Sequence, residues 1–312
     1  MKFLITGGAG FIGSHLAGEL VKEGDVVLVD NLSQGSVDNF SHIKDKVTFI
    51  EADIADSEKM KSALEGVDIV FHHAAMRAVA PSVKDPDAYF KNNVEGTRKM
   101  LEVIKNSGVK KIIFASSSSV YGDNVSFPTK EDQFLDPLSP YAETKLQTEK
   151  DLVEFQKETG ISYIIFRYFT VFGPKQSPKS KYAMAIPLFI HQLLNNQQVT
   201  IHGNGKQSRD FTYVKNIVLA NILAIKREAA ENQIFNIGNG ESTTVNDLVK
   251  KLATIIGVDI TPNHDDALPG ESKHTLADTR KARQLLGYDP EFTLDEGLGK
   301  TVDYFKEHPF KD

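Results

Sequence analysis

The most constraining stretch of the chain is TGGAGFIG at residues 6–13, which follows the apolar run KFLIT. Gly7, Gly10 and Gly13 have GxxGxxG spacing, and an apolar-periodic segment that predicts a helix begins at about Phe11. Glycines here allow a sharp strand-to-helix turn, close approach of the backbone to a diphosphate, and tight contact with the helix. The stretch predicts a first βα unit that carries a phosphate-binding loop.

Apolar runs of strand length alternate with helical patterns as far as residue 168. The runs are KFLIT, VVLVD ending at Asp30, VTFIEAD ending at Asp53, DIVFHHA, KIIFAS and SYIIFRYF. This alternation predicts parallel βαβ units with both sheet faces covered. We expect an α/β fold in which residues 1–168 form a doubly wound Rossmann sheet. The less regular pattern of 169–312 predicts a smaller C-terminal α/β substrate-binding lobe, with part of 215–239 returning to the sheet.

Composition narrows the classes of function. The 312 residues carry a formal net charge of -6, which gives no basic footprint for nucleic acid, and no cysteine for a thiolate nucleophile or metal site. His72 and His73 are strand neighbours that face opposite ways, and the other histidines are scattered, so no metal is predicted. With no apolar stretch near 20 residues, we expect a cytoplasmic protein without a membrane partner.

Asp30 ends the second predicted strand, 17 residues after Gly13. A carboxylate at this position can accept hydrogen bonds from both hydroxyls of an adenosine ribose, and it repels a 2′-phosphate. The residue therefore favours NAD over NADP, although an aspartate in a polar turn is the alternative. Asp53 is compatible with a contact to the adenine edge and equally with an ordinary turn.

The segment SPYAETK at residues 139–145 predicts a helix start, with Ser139 as N-cap and Pro140 in the first helical position. Tyr141 follows, and Lys145 lies one turn later on the same face. A phenol has a pKa near 10, so it needs nearby positive charge to act as a base at neutral pH. Tyr141 and Lys145 are thus candidates for proton transfer; a solvated helix face is the alternative.

Four consecutive serines, in SSSSVYG at residues 116–122, end the predicted strand that contains KIIFAS. Serine hydroxyls compete for backbone hydrogen bonds and add little to an apolar core. Either one serine is chemical and the others structural, or all four form a polar strand end.

Several motifs together resemble the extended short-chain dehydrogenase/reductase family, and more narrowly its nucleotide-sugar 4-epimerases of the UDP-glucose 4-epimerase type. The resemblance covers essentially the whole chain and is more specific for the family than for the sugar. It rests on TGGAGFIG, Asp30, HHAA at 72–75, NNVEGT at 92–97, SSSSVYG, YAETK, RYFTVFGP at 167–174 and QSRDFTYV at 207–214.

The resemblance implies NAD-dependent chemistry at C4 of the sugar. In this family Tyr141 would remove the proton of the 4-hydroxyl, Lys145 would lower the tyrosine pKa and hold the nicotinamide ribose, and Ser117 would bind the 4-oxygen. The implied cofactor-binding residues are Gly7, Gly10, Phe11, Ile12, Gly13, Asp30, Asn31, Ser33, Gly35, Asp53, Ile54, Ala74, Ala75, Asn93, Tyr141, Lys145 and Tyr168. A core tyrosine is the alternative for Tyr168.

Ser118 and Ser119 bear on the reaction. Relatives that dehydrate the 4-keto sugar carry Asp-Glu at these positions, and decarboxylating relatives typically keep a glutamate. Two serines leave the ketone without an obvious acid and base for elimination. The resemblance therefore favours return to an epimer.

The resemblance also implies a substrate side, formed by Ser117, Ser118, Tyr141, Thr170, Arg209 and Thr275. Arg209 matches an arginine that binds the nucleotide diphosphate; a structural ion pair with Asp210 or another acid is the alternative. Thr170 stands where most relatives have asparagine, and Leu268 where they usually have a second phosphate-binding arginine. Diphosphate binding would then depend on Arg209 and on Lys273 or a loop lysine.

Two features point to the sugar. By resemblance, Thr275 occupies the position that in relatives helps to set the room beside the sugar 2-substituent, where a bulky tyrosine restricts the pocket and a small residue admits an N-acetyl group. The loop PKQSPKSKYAMAIP also resembles that of N-acetylhexosamine epimerases more than that of the strict glucose enzymes. We therefore expect UDP-GlcNAc/UDP-GalNAc turnover as well as UDP-Glc/UDP-Gal. Lysines 175, 179 and 181 are compatible with a UDP-glucuronate 4-epimerase, or with a basic surface loop.

Other functions on the same scaffold stay open. A dehydratase, decarboxylase or reductase would change the product mass or consume NADH, and a non-catalytic NAD-binding regulator would need no Ser117, Tyr141 and Lys145. Finally, the segments Asp87 to Lys105 and Tyr141 to Glu158 correspond to helices at the family's dimer interface. A homodimer is expected by resemblance, although these faces are also compatible with a core.

Overall fold

The computed structural model describes residues 1–123, 125–177, 184–266 and 272–309. Its strands are β1 Lys2–Thr6, β2 Asp25–Asp30, β3 Val47–Glu51, β4 Ile69–His72, β5 Lys111–Ser117, β6 Ser162–Tyr168, β7 Val171–Phe172, β8 Thr200–His202, β9 Ser208–Arg209, β10 Thr212–Tyr213, β11 Gln233–Ile237, β12 Thr243–Thr244 and β13 Asn263–Asp265. Its α-helices are α1 Phe11–Leu20, α2 Ser57–Ala63, α3 Val79–Lys84, α4 Pro86–Phe90, α5 Gly96–Ile104, α6 Pro140–Thr159, α7 Ala185–Leu194, α8 Val214–Lys226, α9 Val245–Ile256 and α10 Leu294–Glu307.

Seven strands form one sheet in the order β11-β6-β5-β4-β1-β2-β3, and each neighbouring pair is parallel. The order reverses between β1 and β4, so the strands wind outwards in both directions from the centre. In such sheets the crevice at the carboxyl ends of the strands is where ligands bind. The predicted doubly wound Rossmann sheet is confirmed.

Side chains from successive strand positions enter different apolar layers. Phe3 and Ile5 of β1 belong to the layer that α1 and α8 cover, whereas Leu4 belongs to the layer under α2, α5 and α6. This follows from the two-residue repeat of a strand. Because both faces are buried, the strands carry continuous apolar runs rather than an alternating pattern.

Local sequence signals set the ends of the two helices that border the site. Gly10 precedes α1 with an extended backbone. The hydroxyl of Ser139 accepts from the amide of Ala142 to cap α6, Pro140 occupies the first turn, and Gly160 ends the helix with φ +77. The predicted helix starts near Phe11 and at Pro140 are both confirmed.

The chain after β6 builds a second apolar cluster, which contains Phe172, Ile190, Leu248 and Leu298. Helices α7, α9 and α10 contribute to it, together with the short pairs β7–β10 and β8–β13. The predicted smaller lobe is therefore present. β11 pairs with β6 in the large sheet, and the proposed boundary at residue 168 stays a prediction.

One strand end differs from expectation. β3 ends at Glu51, so Asp53 lies two residues beyond the strand. Its carboxylate accepts from the amide of Ala55, two residues on, which is the hydrogen bond of an Asx turn. In the described part of the chain, no helix combines the length and apolarity needed to cross a membrane.

Candidate active site

A cleft of about 1030 Å³ opens at the carboxyl ends of the central strands. It extends from the β1–α1 loop across the ends of β4, β5 and β6 to β9. All the residues implied by the resemblance line it except Asn93: Gly7, Gly10, Phe11, Ile12, Gly13, Asp30, Asn31, Ser33, Gly35, Asp53, Ile54, Ala74, Ala75, Ser117, Ser118, Tyr141, Lys145, Tyr168, Thr170, Arg209 and Thr275.

The glycine loop is packed too closely for side chains. Gly7 has φ +69, and a Cβ there would lie 2.8 Å from the amide nitrogen of Ala74. A Cβ on Gly13 would lie 2.2 Å from the carbonyl oxygen of Gly7, so a side chain at either position would displace backbone. The loop thus brings bare backbone and the first turn of α1 to the cleft, which is the arrangement that receives a diphosphate.

Asp30 joins this loop to the end of β2. Its carboxylate accepts from the amides of Ala9 at 3.0 Å and Leu32 at 2.9 Å, and burial raises its pKa. Next to it, the Asn31 amide donates to Asp53 at 2.9 Å. The glycine cradle and the acidic strand end therefore fit a dinucleotide such as NAD, with the ribose at Asp30.

Ser117, Tyr141 and Lys145 converge at the other end of the cleft. Ser117 is the last residue of β5, and it lines the cleft together with Tyr141, near the start of α6. The Ser117 hydroxyl acts to lower the pKa of the Tyr141 phenol. One turn further along α6, the Lys145 ammonium donates to the carbonyl of Ala115 at 2.8 Å and lies 4.8 Å from the Phe114 ring centroid. A strand end and a helix start hold the three groups together.

The electrostatics of this trio differ from the expectation in one respect. Burial raises the pKa of Tyr141, opposed by the Ser117 hydrogen bond and by the positive charge of Arg77. Burial also lowers the pKa of Lys145 to about 7, while Glu149 acts in the opposite direction. The protein groups alone therefore do not give the low tyrosine pKa that the resemblance implies. Further positive charge is needed to stabilise the phenolate.

The four serines have different environments. The hydroxyl of Ser116 donates to Glu149, which forms a buried ion pair with Arg167 at 2.7 Å. Ser117 caps a 3-10 turn over Ser118–Tyr121, and its oxygen accepts from both the amide and the hydroxyl of Ser119. Ser116 is thus part of the core network, and Ser119 orients the serine that contacts Tyr141.

Asp210 organises the substrate side. It is fully buried, and its carboxylate accepts from the amides of Asn239 at 2.7 Å, Gly240 at 3.0 Å and Ala277 at 3.1 Å. Its own amide donates to the hydroxyl of Thr275 at 3.1 Å. Burial raises the pKa of Asp210 to about 6. These bonds join three chain segments behind Thr275.

Arg209 precedes Asp210 and lines the cleft. Its guanidinium donates to the carbonyls of Ser208 at 3.1 Å and Lys273 at 3.2 Å. Lys273 itself is not among the lining residues, which weakens its predicted part in diphosphate binding. Leu268, Lys179 and Lys181 lie outside the described residues.

The hydroxyl of Tyr168, at the end of β6, both accepts and donates a hydrogen bond. Its hydroxyl accepts from the Asn221 amide at 2.8 Å, so it donates to the ring of His73 at 3.2 Å. The ring is held rigidly against the cleft wall. This arrangement suits a packing surface for a ligand better than a hydrogen-bond donor.

Of the predicted cofactor-binding residues, Asn93 is the one that does not line the cleft. Its side chain bonds the backbone of Met76 at 2.7 and 3.0 Å and the Thr144 hydroxyl at 3.0 Å. These bonds hold the loop after β4 against α6. The contact of Asn93 with the cofactor stays a prediction.

His72 is a satisfied core histidine. The Thr97 hydroxyl donates to the carbonyl of Asn93, so it accepts from Nε2 of His72 at 2.8 Å; Nδ1 then accepts from Thr6 at 2.7 Å. Burial lowers the pKa of His72 to about 3 and keeps the ring neutral. Among the residues the structure describes, no three histidine, aspartate or glutamate side chains are grouped to hold a metal ion.

Two lining residues escaped the sequence-based predictions. Arg77, in the loop after β4, supplies positive charge near Tyr141, and a lone arginine in an irregular loop gave no pattern to find it by. For Ser119, the sequence indicated only that the carboxylate of dehydratases is absent at this position. The structure shows that its hydroxyl donates to Ser117. The run of four serines indicated that one of them could be chemical, but it did not show that the hydroxyl of Ser119 orients that of Ser117.

Together, the reversal of strand order, the glycine cradle and the Ser-Tyr-Lys group define a dinucleotide-dependent enzyme of the Rossmann class. The model of the NAD-dependent epimerase/dehydratase family matches residues 3–238. The chain belongs to this family, and NAD is the family's cofactor.

Solved structures of three epimerases are similar to the chain over nearly its full length. The UDP-glucose 4-epimerase of Thermotoga maritima with UDP-glucose is 40% identical, with TM-score 0.94 and 99% of each chain covered. The UDP-N-acetylglucosamine 4-epimerase of Methanobrevibacter ruminantium, in complex with UDP-N-acetylmuramic acid, is 39% identical, with TM-score 0.94 and 98% of each chain covered. The UDP-glucuronic acid 4-epimerase of Bacillus cereus, with UDP-glucuronic acid and NAD, is 37% identical, with TM-score 0.92 and coverage of 99% of this chain and 100% of that one.

Proposed function

We propose that the protein is an NAD-dependent isomerase that inverts C4 of a UDP-sugar, interconverting UDP-Glc with UDP-Gal and UDP-GlcNAc with UDP-GalNAc. The observation that carries the proposal is that Ser117, Tyr141 and Lys145, the last one turn along α6 from Tyr141, line the same cleft as the glycine cradle. The three neighbouring structures of 4-epimerases support it.

Bound NAD supplies the hydride acceptor and donor for the C4 carbon. The protein's own residues manage position and protons. Tyr141 takes the proton of the 4-hydroxyl as the C4–H bond breaks. After the keto sugar has turned and C4 has taken the hydride back on its opposite face, Tyr141 returns the proton to the 4-oxygen. Ser117 donates to the 4-oxygen, because both of its acceptor positions are filled by Ser119.

Lys145 holds the cofactor in this proposal: its ammonium, fixed on the Ala115 carbonyl, would bind the ribose next to the reacting ring. Since burial raises the pKa of Tyr141, the charge that brings the phenol within reach of a base would come from Arg77 together with the positive nicotinamide ring.

Epimerisation is the proposed outcome because no carboxylate of the described lining residues lies near Ser117. The acids among these residues are Asp30, the last residue of β2, and Asp53, two residues beyond β3. β2 lies three strand spacings from β5, or roughly 14 Å. Dehydration needs an acid and a base at C5 and C6, and hydroxyls at Ser118 and Ser119 do not provide them.

The sugar 2-substituent faces Thr275 in this proposal. Thr275 is small, and its hydroxyl is held by the amide of Asp210, so the side chain stays turned towards the protein. This geometry supports acceptance of an N-acetyl group. Arg209, which directly precedes Asp210 in the sequence, binds the substrate diphosphate.

UDP-glucuronate is the second candidate substrate. The hydroxyls of Ser118 and Thr170 line the cleft and can donate to a carboxylate, and the Bacillus cereus enzyme supports the comparison. Lys175 does not add to this case, since its ammonium is bonded to the Asn39 carbonyl on the phosphate-loop side.

The test is a substrate panel. The purified protein is incubated with UDP-Glc, UDP-GlcNAc and UDP-glucuronate at equal concentration, and products are resolved by NMR, which separates epimers of equal mass. We expect C4 epimers from UDP-Glc and UDP-GlcNAc. Turnover of UDP-Glc without turnover of UDP-GlcNAc contradicts the role assigned to Thr275. Turnover of UDP-glucuronate alone would show that the protein is a UDP-glucuronate 4-epimerase.

We further propose a homodimer in the cytoplasm, where NAD and UDP-sugars are available. The expected interface lies on α4, α5 and α6, where Phe90 is 43% exposed and the Arg98–Asp151 ion pair joins α5 to α6. Light scattering after size-exclusion chromatography should give twice the chain mass. A monomer at micromolar concentration contradicts the dimer without affecting the proposed reaction.

A further inference from the structure

The short segment 173–177, which follows β7, is fastened to the phosphate-loop side of the cleft at two points. Burial lowers the pKa of His15 to about 4, so its ring is neutral, and Nε2 donates to the carbonyl of Pro174 at 2.9 Å. The ammonium of Lys175 donates to the carbonyl of Asn39 at 2.6 Å. His15 belongs to α1, and Asn39 lies in the segment after β2.

Asn39 itself rests on the phosphate loop. Its side-chain amide donates to the carbonyl of Ala9 at 2.8 Å, and the amide of Ser36 donates to the same oxygen at 3.0 Å. A Cβ on Gly35 would lie 2.9 Å from Ala9, so this segment is flush against the loop. Two hydrogen bonds thus connect the Lys175 ammonium to the glycine loop, and Lys175 lines the same cleft.

The charge of Lys175 is not balanced by the protein. None of the ion pairs and hydrogen bonds found in the described residues joins Lys175 to a carboxylate. The charged group that acts on it is Lys215, which itself pairs with Glu19 at 2.8 Å, and His15 and His42 are its other titratable neighbours. Burial, followed by Lys215, lowers the pKa of Lys175 to about 8. A partly buried ammonium in such surroundings is stabilised by an anion.

The backbone at Lys175 is also unusual, with φ +68. Glycine adopts this left-handed conformation without steric cost, whereas lysine does not. Replacement by glycine therefore removes the ammonium while relaxing the backbone, which makes it possible to separate ligand binding from folding.

We propose that Lys175 is a cofactor-binding residue whose ammonium, anchored on the Asn39 carbonyl, pairs with the diphosphate of NAD and slows its release. The inference rests on the NAD site described above. The substrate also carries a diphosphate. Ala9, however, belongs to the cofactor loop and Asn39 is hydrogen-bonded to it, whereas Arg209 serves the substrate from β9. The Lys175 ammonium thus adds a positive charge to a diphosphate site that otherwise consists of the backbone amides of the glycine loop.

The experiment compares holoprotein of wild type with Lys175→Gly, Lys175→Met and Lys175→Arg, and with Lys61→Met as a surface-charge control on α2. NAD released over time is separated by filtration and quantified, and the Kd of UDP is measured in parallel. We expect release to be about 10-fold or more faster in the glycine and methionine variants, the value of a charge-assisted hydrogen bond. Lys175→Arg and Lys61→Met should stay close to wild type, and the UDP Kd should be unchanged throughout.

A pH series gives a readout that a purely structural role would not move. NAD affinity of the wild type should weaken from pH 7 to pH 9 as the Lys175 ammonium loses its proton, since His15 and His42 are already neutral in this range. Lys145, with a pKa of about 7, loses its proton equally in wild type and in Lys175→Arg. The loss of affinity should therefore be smaller in Lys175→Arg than in wild type, because guanidinium stays charged.

Unchanged NAD release in both Lys175→Gly and Lys175→Met overturns the proposal, as does weaker UDP binding with NAD retention intact. If the wild type binds no NAD, this inference and the proposed function fail together. If NAD is retained through Lys175 but no sugar is epimerised, only the proposed function fails.

Discussion

Ser119 donates its hydroxyl hydrogen to the Oγ of Ser117 at 2.9 Å, and its backbone amide donates to the same oxygen at 3.2 Å. With both acceptor positions filled, the hydrogen of Ser117 is directed outwards, towards Tyr141 and the reacting oxygen. The third and fourth serines therefore differ. Ser118 lines the cleft, and Ser119 sets the direction of its neighbour.

This relationship predicts a graded effect on turnover. Ser117→Ala should lower kcat about 10²–10⁴-fold, the range for loss of a positioned proton-transfer group. Ser119→Ala should lower kcat only about 2–10-fold with little change in KM, because the backbone amide still orients Ser117. Steady-state kinetics measures both, and an effect of Ser119→Ala as large as that of Ser117→Ala would show that Ser119 contacts substrate directly.

Tyr141→Phe should lose turnover by at least about 10²-fold and still retain NAD, since the phenol acts on the sugar proton. In wild type, kcat should rise with pH from the acidic side, because burial raises the pKa of Tyr141. Arg77→Met should move that rising limb to higher pH, because the positive charge of Arg77 favours the phenolate. pH–rate profiles measure this, and normal turnover by Tyr141→Phe would refute the assignment of the base.

Much of this site follows from sequence because its signals are local. The glycine loop, the strand end at Asp30 and the Ser139–Pro140 helix start each depend on residues within one turn or loop. The hydrogen bonds of Asn93 to Met76 and Thr144 could not be predicted, because these partners are distant in sequence. The Lys175–Asn39 contact, 136 residues apart, was equally hidden.

The buried pair of Arg167 and Glu149 should dominate stability near the site. Both side chains are at most 3% exposed, and Arg167 also donates to the hydroxyl of Tyr121 at 2.9 Å. Arg167→Met leaves the Glu149 charge buried without its partner, so it should cost about 3–5 kcal/mol. The matched control is Arg283→Met, whose ion pair with Asp289 is exposed and should be worth about 0–1 kcal/mol. Denaturant unfolding compares the two, and equal losses would contradict the account.

Asp210 should give stability a distinct pH dependence. Burial raises its folded pKa to about 6, above the unfolded value near 3.9, so the folded state binds more protons between these values. Its contribution to stability is therefore fully present below about pH 4 and is lost as pH rises through 6. Asp210→Asn does not titrate.

The free energy of unfolding of wild type minus that of Asp210→Asn should accordingly fall between pH 4 and pH 7, while other carboxylates cancel in the difference. Denaturant titrations at a series of pH values measure it. A difference that stays constant would show that Asp210 titrates normally in the folded protein.

The most direct test of the central claim follows the hydrogen on C4. UDP-glucose deuterated at C4 is incubated with the purified protein, and the product is examined by NMR and mass spectrometry. The account predicts UDP-galactose of unchanged mass with the deuterium still on C4, because the hydride leaves and returns within one active site. Loss of deuterium to solvent, release of reduced cofactor, or a product lighter by one water would contradict it.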